Sequence, residues 1–227
     1  MHGGADSKFS REMPRGQGKF NVFYAIPPIT RALLVANVAM FVIGIFAGDA
    51  FILSLALWPV GSMTLTGGSL GFQPWQIITY SFLHGSAVHL FFNMFALYMF
   101  GGELERLFGP RRYFNLYFLS VITAALTQLA YSASSGGDPY PTVGASGGVF
   151  GLLLAYGMYF PRRTLMLLIP PIPMPAWLFV TLYGLLELYF GVTGTDEGVA
   201  HFAHLGGMLG AWLLIQNWRG RPPFRGR

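Results

Sequence analysis

The succession of long apolar runs is the feature that most constrains the fold of this chain. Hydrophobic residues make up 53% of its 227 residues, charged residues make up 10%, and the mean hydropathy is +0.51. A soluble domain of this size carries far more charge, so the chain is predicted to be an integral membrane protein. A helix needs about 20 apolar residues to span a bilayer, which leaves room for five to seven spans in one domain and for no second folded domain.

Six apolar segments predict six membrane-spanning helices, and the expected fold class is an all-α, six-transmembrane-helix bundle. The predicted spans cover residues 29–47, 87–107, 113–131, 146–160, 176–190 and 199–218. Residues 51–73 contain Trp58-Pro59 and Gly67-Gly68, with Pro74-Trp75 directly after them, but no apolar run of span length. This predicts a structured outer loop at the membrane interface. The bundle is therefore predicted at 29–218, between a flexible tail at 1–28 and a basic tail at 219–227.

The distribution of basic residues agrees with six spans. An even number of spans puts both termini on one side, and all 14 lysines and arginines then fall on that side. The loops on the opposite side carry acids and no basic residue: Asp49, Asp138, Asp196 and Glu197. The positive-inside rule then predicts a multi-pass protein of the cell (inner) membrane with both termini in the cytoplasm. Because the net charge of +5 is dispersed and forms no stripe, nucleic acid is not an expected partner.

A serine between glycines stands where a polar loop turns into an apolar helix. In Gly144-Ala145-Ser146-Gly147 the glycines permit a tight turn, and the helix start offers unpaired N–H groups that can hold an oxyanion. The chain has no cysteine, so serine is the leading candidate for a nucleophile. The same stretch also suits close helix packing, since Gly147 and Gly151 are four residues apart. Taken alone, it favours packing over catalysis.

The fourth predicted span is shorter than a bilayer is thick. Residues 146–160 form about 22 Å of helix, whereas the hydrocarbon core is about 30 Å thick. Arg162 and Arg163 mark the inner end of this span as a membrane surface. The end with Ser146 is therefore predicted to lie inside the membrane thickness. Irregular backbone at that depth is tolerated where it lines a wet cavity, so we expect water to reach Ser146.

Polar residues on two other spans are predicted to lie at the depth of Ser146. His201 and His204 begin the sixth span, which makes a Ser–His pair plausible. His89 and Asn93 are one turn apart on the second span, so both can donate to one point, as in an oxyanion hole. Any one of these residues alone is more often a partner in an interhelical hydrogen bond, but together they favour a site.

A metal centre is the rival interpretation of the histidines. Four imidazoles are available at the outer end of the bundle: His84, His89, His201 and His204. No acid stands beside them at ligand spacing within the spans, and a metal site would leave Ser146 without a purpose. We therefore expect neither a metal ion nor another cofactor.

Three separated motifs resemble the signatures of the rhomboid family of intramembrane serine proteases. They are Gly144-Ala145-Ser146-Gly147, His89-Leu90-Phe91-Phe92-Asn93 and Ala203-His204-Leu205-Gly206-Gly207, in the order and on the spans that the family uses. The resemblance covers about residues 29–218, and the segment GGELERLFG at 101–109 is similar to the family's end of the second span. In the outer loop, Trp75-Gln76 stands where the family often has Trp-Arg.

The resemblance implies a role for each motif residue. Ser146 is expected to be the nucleophile and His204 the general base, and His89, Asn93 and the Ser146 backbone N–H are expected to hold the oxyanion. The residues expected to line the site are Gly144, Ala145, Gly147 and Phe150, the last a position where some members have Tyr. Glu187 is given no catalytic part, so the imidazole is expected to be oriented by packing alone, in a dyad.

The resemblance also implies the substrate. It is a peptide bond near the outer end of another protein's transmembrane helix, with small residues beside the cut, so transmembrane proteins and the lipid bilayer are the expected partners. The alternative is a catalytically inactive rhomboid-like protein that binds membrane proteins. Members of that class usually lose the serine or the histidine, and both are present here.

Overall fold

A computed structural model describes residues 26–62, 71–135, 140–167, 170–194 and 199–220. The helices are α1 (Pro28–Ala47), α2 (Asp49–Leu55), α3 (Gln76–Thr79), α4 (Ala87–Ala96), α5 (Gly102–Phe108), α6 (Pro110–Ser135), α7 (Ser146–Tyr159), α8 (Ala176–Thr193) and α9 (His201–Trp218). Most of both predicted tails lies outside the described residues, as do Asp138, Asp196 and Glu197.

Short irregular elements complete the fold. A 3-10 turn, Tyr80–Phe82, extends α3, and a π-helical turn, Leu97–Gly101, joins α4 to α5. Between α7 and α8 the strands β1 (Thr164–Met166) and β2 (Pro173–Pro175) pair antiparallel, with Leu165 opposite Met174. This small sheet has no counterpart among the sequence predictions.

Four segments of the described chain are long and apolar enough to cross a membrane. They are α1, the continuous helix Ala87–Phe108, α6 and α8. Helix α7 is equally apolar but has only 14 residues, close to the predicted length. The predicted all-α, polytopic membrane bundle is confirmed at this level.

Several predicted boundaries are corrected, two of them at a glycine that ends a helix. The third span begins at Pro110 rather than 113, because Gly109 ends α5 at φ +76° and proline fits the first position of a helix. The fifth continues to Thr193, where Gly194 adopts the left-handed conformation. The sixth begins at His201 rather than 199. The outer segment 51–73 contains most of a helix, α2, that was not predicted.

Helix α9 packs against both α6 and α7 through small residues. A Cβ added at Gly207 would overlap the backbone of Gly147 on α7, and one added at Gly210 would overlap Thr123 on α6. On α7, Gly151 leaves no room for a Cβ beside Ser120. The spaced glycines therefore do serve close helix packing, and this packing fixes α9 directly beside the start of α7.

A buried carboxylate caps the first helix. Glu105 on α5 is 3% exposed and accepts hydrogen bonds from the backbone N–H groups of Ile29 and Thr30, at 2.9 and 2.7 Å, and from the Thr30 hydroxyl, at 2.8 Å. These are N–H groups that the first turn of α1 leaves unpaired. The cap therefore ties the start of α1 to α5.

Candidate active site

Ser146 is the first residue of α7, and its hydroxyl meets a histidine from α9. The Oγ of Ser146 lies 2.8 Å from Nε2 of His204. Both residues face a cavity of about 680 Å³. Of the two histidines that begin the sixth span, His204 is thus the one that contacts the serine.

The loop before Ser146 is held by backbone pairing to the outer segment. Thr142 forms an isolated antiparallel bridge with Leu57, with N···O distances of 2.9 and 3.0 Å. The Gly144 N–H donates to the Tyr80 carbonyl at 3.0 Å, and the Tyr80 hydroxyl donates to the Val121 carbonyl of α6 at 2.8 Å. The position of the nucleophile therefore depends on segments far away in the sequence.

The predicted site-lining residues divide into two groups. Gly144, Gly147 and Phe150 line the cavity. Ala145 does not: it is fully buried, and its carbonyl accepts the first helical hydrogen bond, from Val149. Ala145 instead acts through its backbone, which forms the start of α7. The N–H groups of the first turn there have no partner within the helix.

Two side chains hold the imidazole of His204. The ring stacks on Phe150 with 4.2 Å between centroids and 5° between planes. Its Nδ1 lies 2.8 Å from Oε2 of Glu187, which projects from α8. The expectation that packing alone orients this ring is therefore wrong, because a carboxylate from the fifth span reaches it.

Glu187 also contacts the other histidine of α9. Nδ1 of His201 lies 2.7 Å from the same oxygen, Oε2. The side chains of Glu187, His201 and His204 are 13%, 7% and 10% exposed. The expectation that no acid lies beside these histidines is wrong, because Glu187 reaches them from a different helix, α8.

His89 and Asn93 lie on the same side of α4 and both line the cavity. Ser86 caps the start of this helix, and its hydroxyl accepts from the His89 backbone N–H at 3.1 Å. A Cβ built on Gly144 would be 2.8 Å from the His89 ring and 3.5 Å from the Ser146 Oγ, which places the ring close to the serine. Asn93 donates one amide hydrogen to the His89 carbonyl at 3.1 Å and keeps a second.

The structure does not gather all four histidines predicted for the rival metal site. His84 pairs with His89, with ring centroids 5.0 Å apart, before the start of α4. Burial, and secondarily the neighbouring His89, lowers the pKa of His84 to about 4, so its ring is neutral at pH 7. Among the described residues, the groups close enough to share an ion are Glu187, His201 and His204. Their N···O separations of 2.7 and 2.8 Å are hydrogen-bond lengths.

The cavity continues away from Ser146 between helices. Its walls include Phe95 of α4, Met99 of the π-helical turn, Phe179 and Tyr183 of α8, and Leu165 of β1. These side chains are apolar or aromatic, whereas the polar groups are concentrated around Ser146. The cavity therefore has an apolar channel with one reactive end, which suits an apolar peptide segment.

Sequence reasoning missed two residues that position the site. Tyr80 carries no motif, and nothing in its neighbourhood signals that its carbonyl holds Gly144. Glu187 did give a signal, since an acid inside an apolar run normally faces a partner within the protein. The partner itself was not readable from the sequence.

The known proteins that this chain resembles belong to one family. Residues 71–217 match the family model described as Rhomboid domain. The proteins named Rhomboid protease GlpG of Yersinia pestis (strain Pestoides F) and of Yersinia pseudotuberculosis serotype IB (strain PB1/+) are each 27% identical over 195 residues, covering 84% of this chain and 62% of the relative. RHOMBOID-like protein 4 of Arabidopsis thaliana is 29% identical over 237 residues, covering 89% and 55%. The chain spans less than two thirds of the length of these relatives.

Proposed function

Because the chain belongs to the rhomboid family, we propose that it is an intramembrane serine endopeptidase in which Ser146 is the nucleophile and His204 the general base. The observation that carries this proposal is the 2.8 Å contact between Ser146 Oγ and His204 Nε2 at the reactive end of the cavity. A hydroxyl and an unprotonated ring nitrogen at this distance form an activated nucleophile. No cofactor is needed for this chemistry.

The geometry supports a two-step acyl transfer. As Ser146 Oγ attacks the peptide carbonyl carbon, its proton passes to His204 Nε2. The oxyanion is held by the Ser146 backbone N–H, the His89 ring and the second amide hydrogen of Asn93. The proton then moves to the leaving nitrogen as the C–N bond breaks, which leaves an ester on Ser146. Water, deprotonated by His204, hydrolyses the ester and restores both residues.

The substrate is a transmembrane segment of another membrane protein, cut near its outer end. The apolar channel beside Ser146 fits such a segment, and a helical peptide bond must unwind locally before its carbonyl can be attacked. The chain crosses the cell (inner) membrane six times with both termini in the cytoplasm, in a bundle at 29–218 flanked by tails at 1–28 and 219–227. Support for this orientation comes from the one-sided distribution of all 14 basic residues.

An inactive, client-binding relative is the alternative function. That class would not need a serine hydroxyl and an imidazole in hydrogen-bond contact, and this chain has both. Only an endopeptidase cleaves the membrane protein that it binds, so one cleavage assay separates the two functions.

The test is cleavage of a transmembrane reporter by the purified protein reconstituted in liposomes. We expect cleavage by the wild type, none by Ser146→Ala or His204→Ala, and no further loss in the double variant, because the two residues act as a unit. Full activity in either single variant would overturn the assignment. A wild type that binds the reporter without cutting it would favour the client-binding function.

A further inference from the structure

We propose that Glu187 is a positioning residue for His204 and that His201 holds the Glu187 carboxylate in place. The inference rests on the proposed function, because it concerns how the general base of that site is prepared. It extends the Ser–His pair to a chain of four side chains from three helices: Ser146 on α7, His204 and His201 on α9, and Glu187 on α8.

The contacts along this chain are continuous. Ser146 Oγ meets His204 Nε2 at 2.8 Å, His204 Nδ1 meets Glu187 Oε2 at 2.8 Å, and His201 Nδ1 meets the same oxygen at 2.7 Å. All three distances are within the range of normal hydrogen bonds. The two ends of the His204 ring are therefore occupied by different partners, the serine on one side and the carboxylate on the other.

The carboxylate fixes which ring nitrogen carries hydrogen. An ionised carboxylate only accepts hydrogen bonds, so Nδ1 of His204 must donate to Glu187. In the neutral ring this leaves Nε2 with its lone pair directed at the Ser146 hydroxyl. That tautomer is the one a general base needs, and the opposite tautomer would present an N–H to the serine. The negative charge also stabilises the imidazolium that forms when the serine attacks.

His201 explains how the carboxylate is kept in position. Glu187 is 13% exposed on a helix long and apolar enough to span the membrane, where an unpaired carboxylate is costly. Two donors, one from each histidine, satisfy the same oxygen. The second donor restrains Oε2 where His204 needs it, so His201 acts on the base only through Glu187.

Kinetic constants distinguish the positioning role of Glu187 from a purely structural role as a link between α8 and α9. Glu187→Gln keeps the size and one carbonyl acceptor, but its amide can also turn a donor toward His204 and favour the wrong tautomer. We expect kcat to fall about 10- to 100-fold with KM changed less than about twofold. Glu187→Asp, which keeps the charge on a shorter side chain, should recover part of that loss.

Glu103→Gln is the matched control. This acid lies on α5, pairs with Arg163 and is 34% exposed, away from the catalytic contact. It should leave kcat and KM unchanged. His201→Ala should lower kcat less than Glu187→Gln does, and combining the two should be no worse than Glu187→Gln alone, since both act through one oxygen. An unchanged kcat in Glu187→Gln, or full additivity in the double variant, would overturn the proposal.

The tautomer is also measurable without altering Glu187. In a histidine-selective ¹⁵N spectrum of the wild type in micelles, the His204 signal, assigned by its loss in His204→Ala, should show protonation at Nδ1. Protonation at Nε2 would overturn the proposal even if Glu187→Gln failed to fold. If the wild type cuts the reporter and Glu187→Gln cuts it equally well, this inference fails alone. If the wild type never cuts and Ser146→Ala matches it, the proposed function fails as well.

Discussion

At the residue scale, the two histidine rings near Ser146 are held by close contacts with their neighbours. The His204 ring is held on its face by Phe150 and at its edge by Glu187. The His89 ring lies against the Cα of Gly144, whose φ of +132° falls in the region that favours glycine. In the proposed mechanism, each of these contacts sets an angle or distance on which proton transfer or oxyanion binding depends.

Gly144→Ala should therefore damage catalysis rather than folding. A Cβ at this position would be 2.8 Å from the His89 ring, and the positive φ adds strain of about 1–3 kcal/mol. We expect reporter cleavage to fall at least about tenfold while the protein remains monodisperse in detergent. Gly85→Ala is the control, because Gly85 also lines the cavity but a Cβ there meets no atom within 4 Å. Wild-type kinetics in Gly144→Ala would contradict this reading.

Removing the proposed oxyanion donors should affect the transition state alone. His89→Ala and Asn93→Ala are each expected to lower kcat about 10- to 1000-fold, because the developing negative charge loses a preorganised donor. Steady-state kinetics with the reporter measure this directly. A rise in KM with unchanged kcat would instead assign the two residues to substrate binding or to structure.

At the scale of elements, one glutamine contributes several of the hydrogen bonds that attach the outer segment to its neighbours. Gln76 is 1% exposed, and its Oε1 accepts from the backbone N–H groups of Trp58 and Gln73 at 3.2 and 3.1 Å. Its Nε2 donates to the Ser54 carbonyl at 3.3 Å. The glutamine that stands where the family often has arginine thus connects α2, α3 and the strand-like residues that pair with Thr142.

Gln76→Ala should loosen this attachment. The substitution leaves buried backbone groups unpaired, and we expect the free energy of unfolding to fall by about 1–3 kcal/mol. Thermal unfolding in detergent, with Gln73→Ala as the control from the same segment, measures the change. An unfolding midpoint equal to that of the control would show that Gln76 does not anchor the segment.

The motifs and the start of α7 were predictable because they depend on local chemistry. Ser146 begins α7 as predicted, and the Gly144, His89 and His204 motifs converge on one cavity. What could not be predicted is which faces of the helices meet. Helix α8 is apolar on nearly all sides, so its sequence has no periodicity that shows where Glu187 points. The contacts of Tyr80 and Gln76 are missed for the same reason, since both join segments distant in the sequence.

At the scale of the whole molecule, we expect the short helix α7 to set the depth of the site. Its 14 residues form about 21 Å of helix, less than the thickness of the hydrocarbon core, while Pro161 and two arginines follow its C-terminal end. The site is thus expected below the outer surface, in a cavity that admits water. This expectation concerns both the depth of Ser146 and the orientation of the chain in the membrane.

Cysteine labelling tests depth and orientation together. The chain has no cysteine, so Ser146→Cys introduces a single reporter. In intact cells it should react with a small membrane-impermeant thiol reagent added outside, more slowly than Val60→Cys, whose valine is 71% exposed in the outer segment. Gly136, which follows the third predicted span, lies outside the described residues. Labelling only from the cytoplasmic side would contradict the orientation, and no labelling of Ser146→Cys would show a dry, packed serine.

The most direct test of the central claim, that His204 activates Ser146 inside the membrane, is covalent labelling by a fluorophosphonate probe in native membranes. The probe reacts with an activated serine and requires neither a known substrate nor product release. The account predicts labelling of the wild type at Ser146, none in Ser146→Ala, and at most trace labelling in His204→Ala. Equal labelling of the wild type and His204→Ala would contradict the claim, as would a wild type that remains unlabelled.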